Sequence, residues 1–185
     1  MKPILPVLSA LFLLSGCVSV KIESNRDTGF QKDIQKVFIV ALASHDNMEL
    51  YRTAIAELKT GLTERKIQAE FCLISELDLG AQKESCARQL EAFHPDVVLE
   101  IGVGAFDKGW RYSGPAYGPN GAVGGSSTYA ETTKTLVSLK EAGSDETVWK
   151  ASLRVTASIP EMGGPKMARK IIAQLEKDQL IKKKP

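Results

Sequence analysis

The apolar positions in the first half of the chain alternate between continuous runs and helical stripes. The segment Lys36 to Ala43 is almost wholly apolar and β-branched, which is typical of a strand covered on both faces. Tyr51, Ile55, Leu58 and Leu62 follow at helical spacing and predict an amphipathic helix. The same alternation predicts a strand at 70–75, a helix at 81–93 and a strand at 96–106. This β-α-β-α-β order favours a parallel core with right-handed crossovers.

The second half has a different pattern, because strict alternation of apolar and polar residues replaces the continuous runs. Residues 129–141 and 147–159 both alternate, and the turn-forming residues 142–145 lie between them, which predicts an antiparallel hairpin. Gly163, Gly164 and Pro165 are predicted to open a last helix. Residues 107–128 are rich in glycine and are predicted to form a long loop.

These elements predict an α/β (α+β-like) fold. It is a two-layer sandwich with a mixed sheet of about five to six strands and about three helices, in the order (β)βαβαβββα. Val18, Val20 and Ile22 alternate with polar residues, so they form either an edge strand or part of a tether. The predicted organisation is a signal peptide at 1–16, a lipidated N-terminus with tether or edge strand at 17–35, a single globular domain at 36–181 and a basic tail at 182–185.

The N-terminal segment indicates export. Lys2 and the apolar residues 4–14 have the layout of a signal peptide, and the apolar stretch is shorter than the roughly 20 residues of a membrane-spanning helix. The segment Leu14-Ser15-Gly16-Cys17 then resembles a bacterial lipobox, at which the cysteine is acylated and becomes the first residue. The alternatives are a membrane-spanning anchor and an ordinary secretory signal with an accidental cysteine, although Leu14 suits an ordinary cleavage site poorly. Val18 after the cysteine favours an outer-membrane address facing the periplasm.

Charge gives little support for a nucleic-acid partner, because the formal net charge is only +2. The basic cluster Lys182-Lys183-Lys184 is either a solvated helix end or a contact with anionic lipid head groups. Export would place Cys72 and Cys86 in an oxidising compartment, so they form either a disulfide or two buried thiols. Neither belongs to a CxxC motif, and no metal or cofactor site is predicted.

The layout resembles a broad group of small, largely uncharacterised bacterial outer-membrane lipoproteins with a mixed α/β domain. The resemblance rests on the lipobox, on the short strand directly after it, and on the hairpin from Thr135–Lys140 to Glu146–Ala151 with its Trp149-Lys150-Ala151 step. Such hairpins often carry Asp before the turn, where this chain has Lys140 and Glu141. The resemblance implies roles in envelope integrity, scaffolding or ligand binding, and it transfers no catalytic residue.

Few residues form a pattern that indicates chemistry. Ser44-His45-Asp46 has the residue types of a hydrolase triad, but consecutive side chains point apart. A helix-capping role for Ser44 to Asn47, with Asp46 as the N-cap, is the favoured interpretation. His45, Asp107 and Lys108 follow the ends of presumed parallel strands, where a ligand cleft is possible. The glycine-rich residues 118–125 lack the GK[ST] of a phosphate loop.

Trp110, Tyr112 and Tyr117 lie in the glycine-rich segment and are either packed on the core or exposed to bind a partner. The sequence therefore predicts a non-enzymatic, membrane-anchored envelope lipoprotein that binds an envelope protein partner or assembles with it. The alternative is a small-ligand binder or hydrolase with a site at the C-terminal ends of the parallel strands. A third hypothesis is a structural role through self-association.

Overall fold

The computed structural model describes the backbone of residues 18–112, 116–118, 121–123, 127–144 and 146–184, with the side chains of these residues apart from 103–131 and 160. These residues form eight strands and three α-helices. They are β1 (Ser19–Arg26), β2 (Lys36–Ala43), α1 (Met48–Thr63), β3 (Gln68–Ser75), α2 (Ala81–Phe93), β4 (Val97–Tyr112), β5 (Ala116–Gly118), β6 (Gly121–Val123), β7 (Ser127–Glu141), β8 (Thr147–Ala157) and α3 (Pro160–Lys177).

Six of the strands form one mixed sheet in the order β1-β8-β7-β4-β2-β3. β2 lies parallel to both β3 and β4, while the pairs β4–β7, β7–β8 and β1–β8 are antiparallel. The predicted α/β class with a mixed sheet and three helices is therefore confirmed, as is the parallel β-α-β-α-β unit within it. The alternation after Val18 belongs to an edge strand, because β1 pairs along its whole length with β8.

One face of the sheet, called here the inner face, is covered by α1 and α3. Alternate residues of the strands point to this face, so β8 buries Trp149, Ala151, Leu153 and Val155 beneath the helices. α1 and α3 also pack closely on each other. A Cβ atom at Gly164 would lie 2.5 Å from the carbonyl oxygen of Leu50, so only glycine allows this approach.

The opposite, outer face carries a smaller apolar cluster. Phe38, Ile74 and the two cysteines Cys72 and Cys86 are buried there beneath α2, which packs against β2 and β3. Cys72 and Cys86 are joined as a disulfide, with their Cα atoms 5.7 Å apart. In the part of the chain that the structure describes, no helix is stacked on the outer face of β7, β8 and β1.

The edge strand β1 is joined to α3 by the carboxylate of Asp178, which follows that helix. Ser24 Oγ and Trp149 Nε1 each donate a hydrogen bond of 2.7 Å to this carboxylate, and Gln174 Nε2 donates a third of 3.0 Å. Burial alone would raise the pKa of Asp178, but these hydrogen bonds outweigh burial and hold the pKa below its ordinary value. Arg26 also donates to the backbone carbonyl of Asp178.

The glycine-rich segment differs most from its prediction. β4 continues to Tyr112 and pairs with β7 from Ser127, so the two strands form a ribbon that extends past the rest of the sheet. A β-bulge between Val103 and Ala105 marks its base, and the short hairpin β5–β6 lies between its strands in sequence. The prediction of a loop is therefore wrong where these strands form. Strands can pair through their backbones without the alternation of apolar and polar residues from which strands are predicted.

The predicted start of the last helix is also wrong. α3 begins at Pro160, not near Gly163, and Pro165 lies inside the helix. Pro160 occupies the first helical turn, where a missing N–H costs nothing. The two glycines are needed instead for the close contact with α1.

Candidate functional site

An apolar groove lies beside the free sheet edge, between α1 and β3. α1 and β3, the last strand of the sheet, line a space of about 660 Å³. The apolar floor and wall are formed by Phe71 and Leu73 of β3 and by Ile55 and Ala56 of α1. Polar residues complete the rim: Arg52, Lys59, Thr60, Thr63 and Glu64. We call this space the edge groove.

The backbone of β3 has one free side along this groove. Gln68 N–H donates to the carbonyl of Gln35 and Glu76 N–H to that of Ala43, so the even-numbered residues of β3 bond toward β2. The odd-numbered residues therefore direct their N–H and C=O groups away from the sheet. Of these, the N–H of Ser75 is capped by Gln82 Oε1 at 2.8 Å. The remaining odd positions, including Phe71, have no neighbouring strand in the described residues.

The charges around the edge groove are neutralised in pairs. Lys59 Nζ lies 3.1 Å from both carboxylate oxygens of Glu70 and 5.8 Å from the ring centroid of Phe71. Arg52 pairs with Glu49 at 3.0 Å. Phe71 nevertheless leaves 41% of its surface exposed, which is large for an aromatic side chain. The groove is therefore suited to apolar side chains and not to an ion.

A second groove of about 480 Å³ lies on the outer face, over β2, β4, β7 and β8. Its floor contains the exposed side chains of Leu42 and Leu136, together with Gly102, which carries no side chain. Glu100 accepts hydrogen bonds from Lys140 at 2.9 Å and from Ser138 at 3.0 Å on one flank. No strand edge is free beneath this groove, since all four of its strands are internal to the sheet.

The predicted ligand cleft of His45, Asp107 and Lys108 lies partly outside the side chains that the structure describes. His45 is exposed in a short 3-10 turn after β2. Asp107 pairs with Thr132 and Lys108 with Glu131, so these two consecutive positions belong to opposite faces of the ribbon. Their side chains lie outside the described residues, and a cleft with His45 stays a prediction.

The start of α1 contains a buried polar side chain whose burial the sequence did not predict. Asn47, not Asp46, precedes the helix, and the predicted cap by Asp46 at this position is wrong. The side chain of Asn47 is only 1% exposed, and neither its Oδ1 nor its Nδ2 has a hydrogen-bond partner in the part of the chain that the structure describes. A buried amide without partners is costly. No periodic signal distinguishes it from an ordinary loop residue.

The other predicted sites are placed as follows. Cys17 lies outside the described residues, and so do the side chains of Trp110, Tyr112 and Tyr117, whose backbones are in β4 and β5. Two lysines of the basic tail are paired, Lys182 with Asp33 at 2.9 Å and Lys184 with Glu64 at 3.1 Å. Among the described residues no group of side chains could hold a metal ion, and no helix is long and apolar enough to cross a membrane.

Comparison with known proteins gives only a distant structural similarity. No family model and no curated protein matches the chain. The PelC dodecamer from Paraburkholderia phytofirmans is 15% identical, with a TM-score of 0.47 over 89% of this chain and 100% of that one. A PDZ domain protein from Parabacteroides distasonis is 9% identical, with a TM-score of 0.37 over 84% of this chain and 37% of that one. Similarity at this level assigns neither a family nor a function.

Proposed function

We propose that this chain is a bacterial envelope lipoprotein, anchored through Cys17, that acts as a non-enzymatic binding module. Its binding site is the edge groove, and its ligand is an extended apolar segment of another envelope protein. The observation that carries the proposal is the coincidence of a free strand edge on β3 with an apolar space lined by α1 and β3.

A bound segment would add a seventh strand to the sheet. Its backbone would pair with the free groups of Phe71 and its odd-numbered neighbours in β3, and alternate side chains would enter the edge groove against Ile55 and Ala56. The pairing would supply affinity and the groove would select apolar residues at every second position. Natural edge strands are usually shielded by charge, bulges or covering elements, so an apolar edge of this kind is typical of an interaction site.

The proposed anchor is close to the folded domain. β1 begins at Ser19, two residues after Cys17, so almost no free chain separates an acyl group on that cysteine from the sheet. Two or more acyl chains hold a protein stably at a membrane. The edge groove lies on β3, at the other end of the six-strand order from β1, and so would remain accessible.

The binding proposal is tested by photo-crosslinking in the native envelope. A photoreactive residue replaces Thr60, which lines the groove, and we expect it to capture a partner protein through a segment with alternating apolar residues. Phe71→Glu should abolish this product because it places a charge in the apolar floor. Leu136→Glu is the matched control, since Leu136 is an exposed strand leucine on the outer face, and it should leave the product unchanged.

Three results would contradict the proposal. Capture that survives Phe71→Glu would exclude the groove, and a product formed by two copies of this chain would indicate self-association. An N-terminal peptide without acyl groups, or acylation retained in Cys17→Ser, would exclude the anchor. Mass spectrometry of the purified protein and of the crosslinked peptide separates these outcomes.

A further inference from the structure

Three cationic side chains form a row across the outer face of the sheet. Lys21 of β1 is in register with Arg154 of β8, and Arg154 is in register with Lys134 of β7. Directly paired residues share a face, and neighbouring strands are about 4.8 Å apart, so the three positions span about 10 Å. All three side chains are exposed. We call Lys21, Arg154 and Lys134 the cationic row.

The cationic row has no partner among the described residues. Within that part of the chain, none of its three side chains makes a hydrogen bond or ion pair, in contrast to Lys140 on the same face, which is bound to Glu100. The one acidic residue on the outer face of β1, Glu23, belongs to the next register position, opposite Ser152. Like charges placed directly opposite each other destabilise a sheet. The arrangement therefore has a cost in the isolated domain, and an external anion would remove it.

The position of the row indicates which anion this is. Lys21 is four residues from Cys17, a distance of at most about 13 Å along an extended chain. The basic tail is farther away, since Lys182 pairs with Asp33, beyond the C-terminal end of β1. Acyl chains on Cys17 would thus bring the membrane surface to the cationic row before they bring it to the tail.

We propose that the cationic row binds the phosphate groups of anionic lipids and fixes the outer face of the sheet toward the membrane. This inference rests on the proposed anchor at Cys17 and adds a second contact with the membrane. Each lysine or arginine near an anionic membrane surface favours binding by about fivefold. Three such charges in one row give the domain a defined orientation, with the edge groove of β3 directed away from the anchor.

Lysine footprinting of the acylated protein tests the orientation. The protein is reconstituted in vesicles of phosphatidylcholine alone and in vesicles with one-third phosphatidylglycerol, and the acetylation rate of each lysine is measured by mass spectrometry. We expect the rates of Lys21 and Lys134 to fall at least fivefold on the anionic vesicles and to recover in high salt. The rate of Lys183 should change less than twofold.

Two variants with matched charge changes locate the effect. Lys134→Gln/Arg154→Gln should remove the protection of Lys21, because the remaining single cation binds weakly. Lys182→Gln/Lys184→Gln removes the same charge from the tail and should leave that protection intact. Circular dichroism of both variants checks that the fold is retained.

Equal rates at Lys21 on both kinds of vesicle would overturn the proposal. It would also be overturned if soluble polyglutamate protected Lys21 while anionic vesicles did not, since the occupant would then be an acidic macromolecule. The same mass spectra report acylation of Cys17 separately. If the anchor is absent, footprinting with excess added vesicles still decides whether the row binds anionic lipid.

Discussion

The two faces of the sheet are made from the same strands but are used differently. On the inner face, α1 and α3 cover the strands and bury one continuous core that includes Tyr51, Leu153 and Trp149. On the outer face, α2 covers only β2 and β3, and the remaining strands present threonine, serine, lysine and arginine with an occasional leucine. The difference indicates that stability depends mainly on the inner face, which leaves the outer face free to vary with function.

The largest expected effect comes from equal truncations on the two faces. Leu153 is fully buried on the inner face, and Leu136 is 52% exposed on the outer face. Leu153→Ala should lower the free energy of unfolding by about 3 kcal/mol, because it loses apolar burial and leaves a cavity. Leu136→Ala should lower it by less than about 1 kcal/mol. Urea denaturation measures both, and equal losses would mean that the outer face also contributes a core.

A smaller loss of stability is expected from the ionisation of Tyr51 at alkaline pH. Burial raises the pKa of Tyr51 to about 12, only partly offset by its hydrogen bond to Thr135. Because the unfolded side chain ionises near pH 10, the contribution of Tyr51 to stability should be constant below that pH and fall by on the order of 2 kcal/mol as pH rises toward 12.

Tyr51→Phe is the control for this pH dependence. It removes the hydroxyl bound to Thr135 Oγ1 at 3.1 Å and to the Gly102 carbonyl at 3.2 Å, and should cost about 1 kcal/mol at neutral pH. The variant should lose less stability between pH 10 and 12 than the parent protein. The same alkaline loss in both proteins would show that another group is responsible.

The smallest expected effect is a gain in stability, and it comes from a substitution on the outer face. Lys134→Glu would replace two like charges in direct register with an ion pair between positions 134 and 154. We expect this variant to be more stable than the parent by about 0.2–1 kcal/mol in low salt. The gain should shrink as salt increases. A loss of stability in thermal denaturation would indicate that Lys134 has a favourable partner in the folded domain.

The parallel core could be predicted because its strands are continuous apolar runs and its helices have clear stripes. The ribbon of β4 and β7 could not, since Gly109 and its neighbours give no alternation and only cross-strand pairing defines the strands. The edge position of β3 was also beyond prediction, because strand order is a property of the tertiary structure. The cationic row could not be predicted for the same reason, because Lys21, Lys134 and Arg154 come together only through the register of the paired strands.

The β1–β8 ladder has a mechanical consequence in an anchored protein. The N-terminal end of β1 would carry any pull from the membrane, and all eight of its residues pair with β8. Antiparallel hydrogen bonds lie perpendicular to the strands, so a pull along β1 loads all of them together in shear, whereas a sideways pull would open them one after another. Asp178 holds Ser24 near the far end and opposes sliding of the strand. The strand that begins next to the proposed anchor is therefore joined to the domain in the direction in which a membrane would pull it.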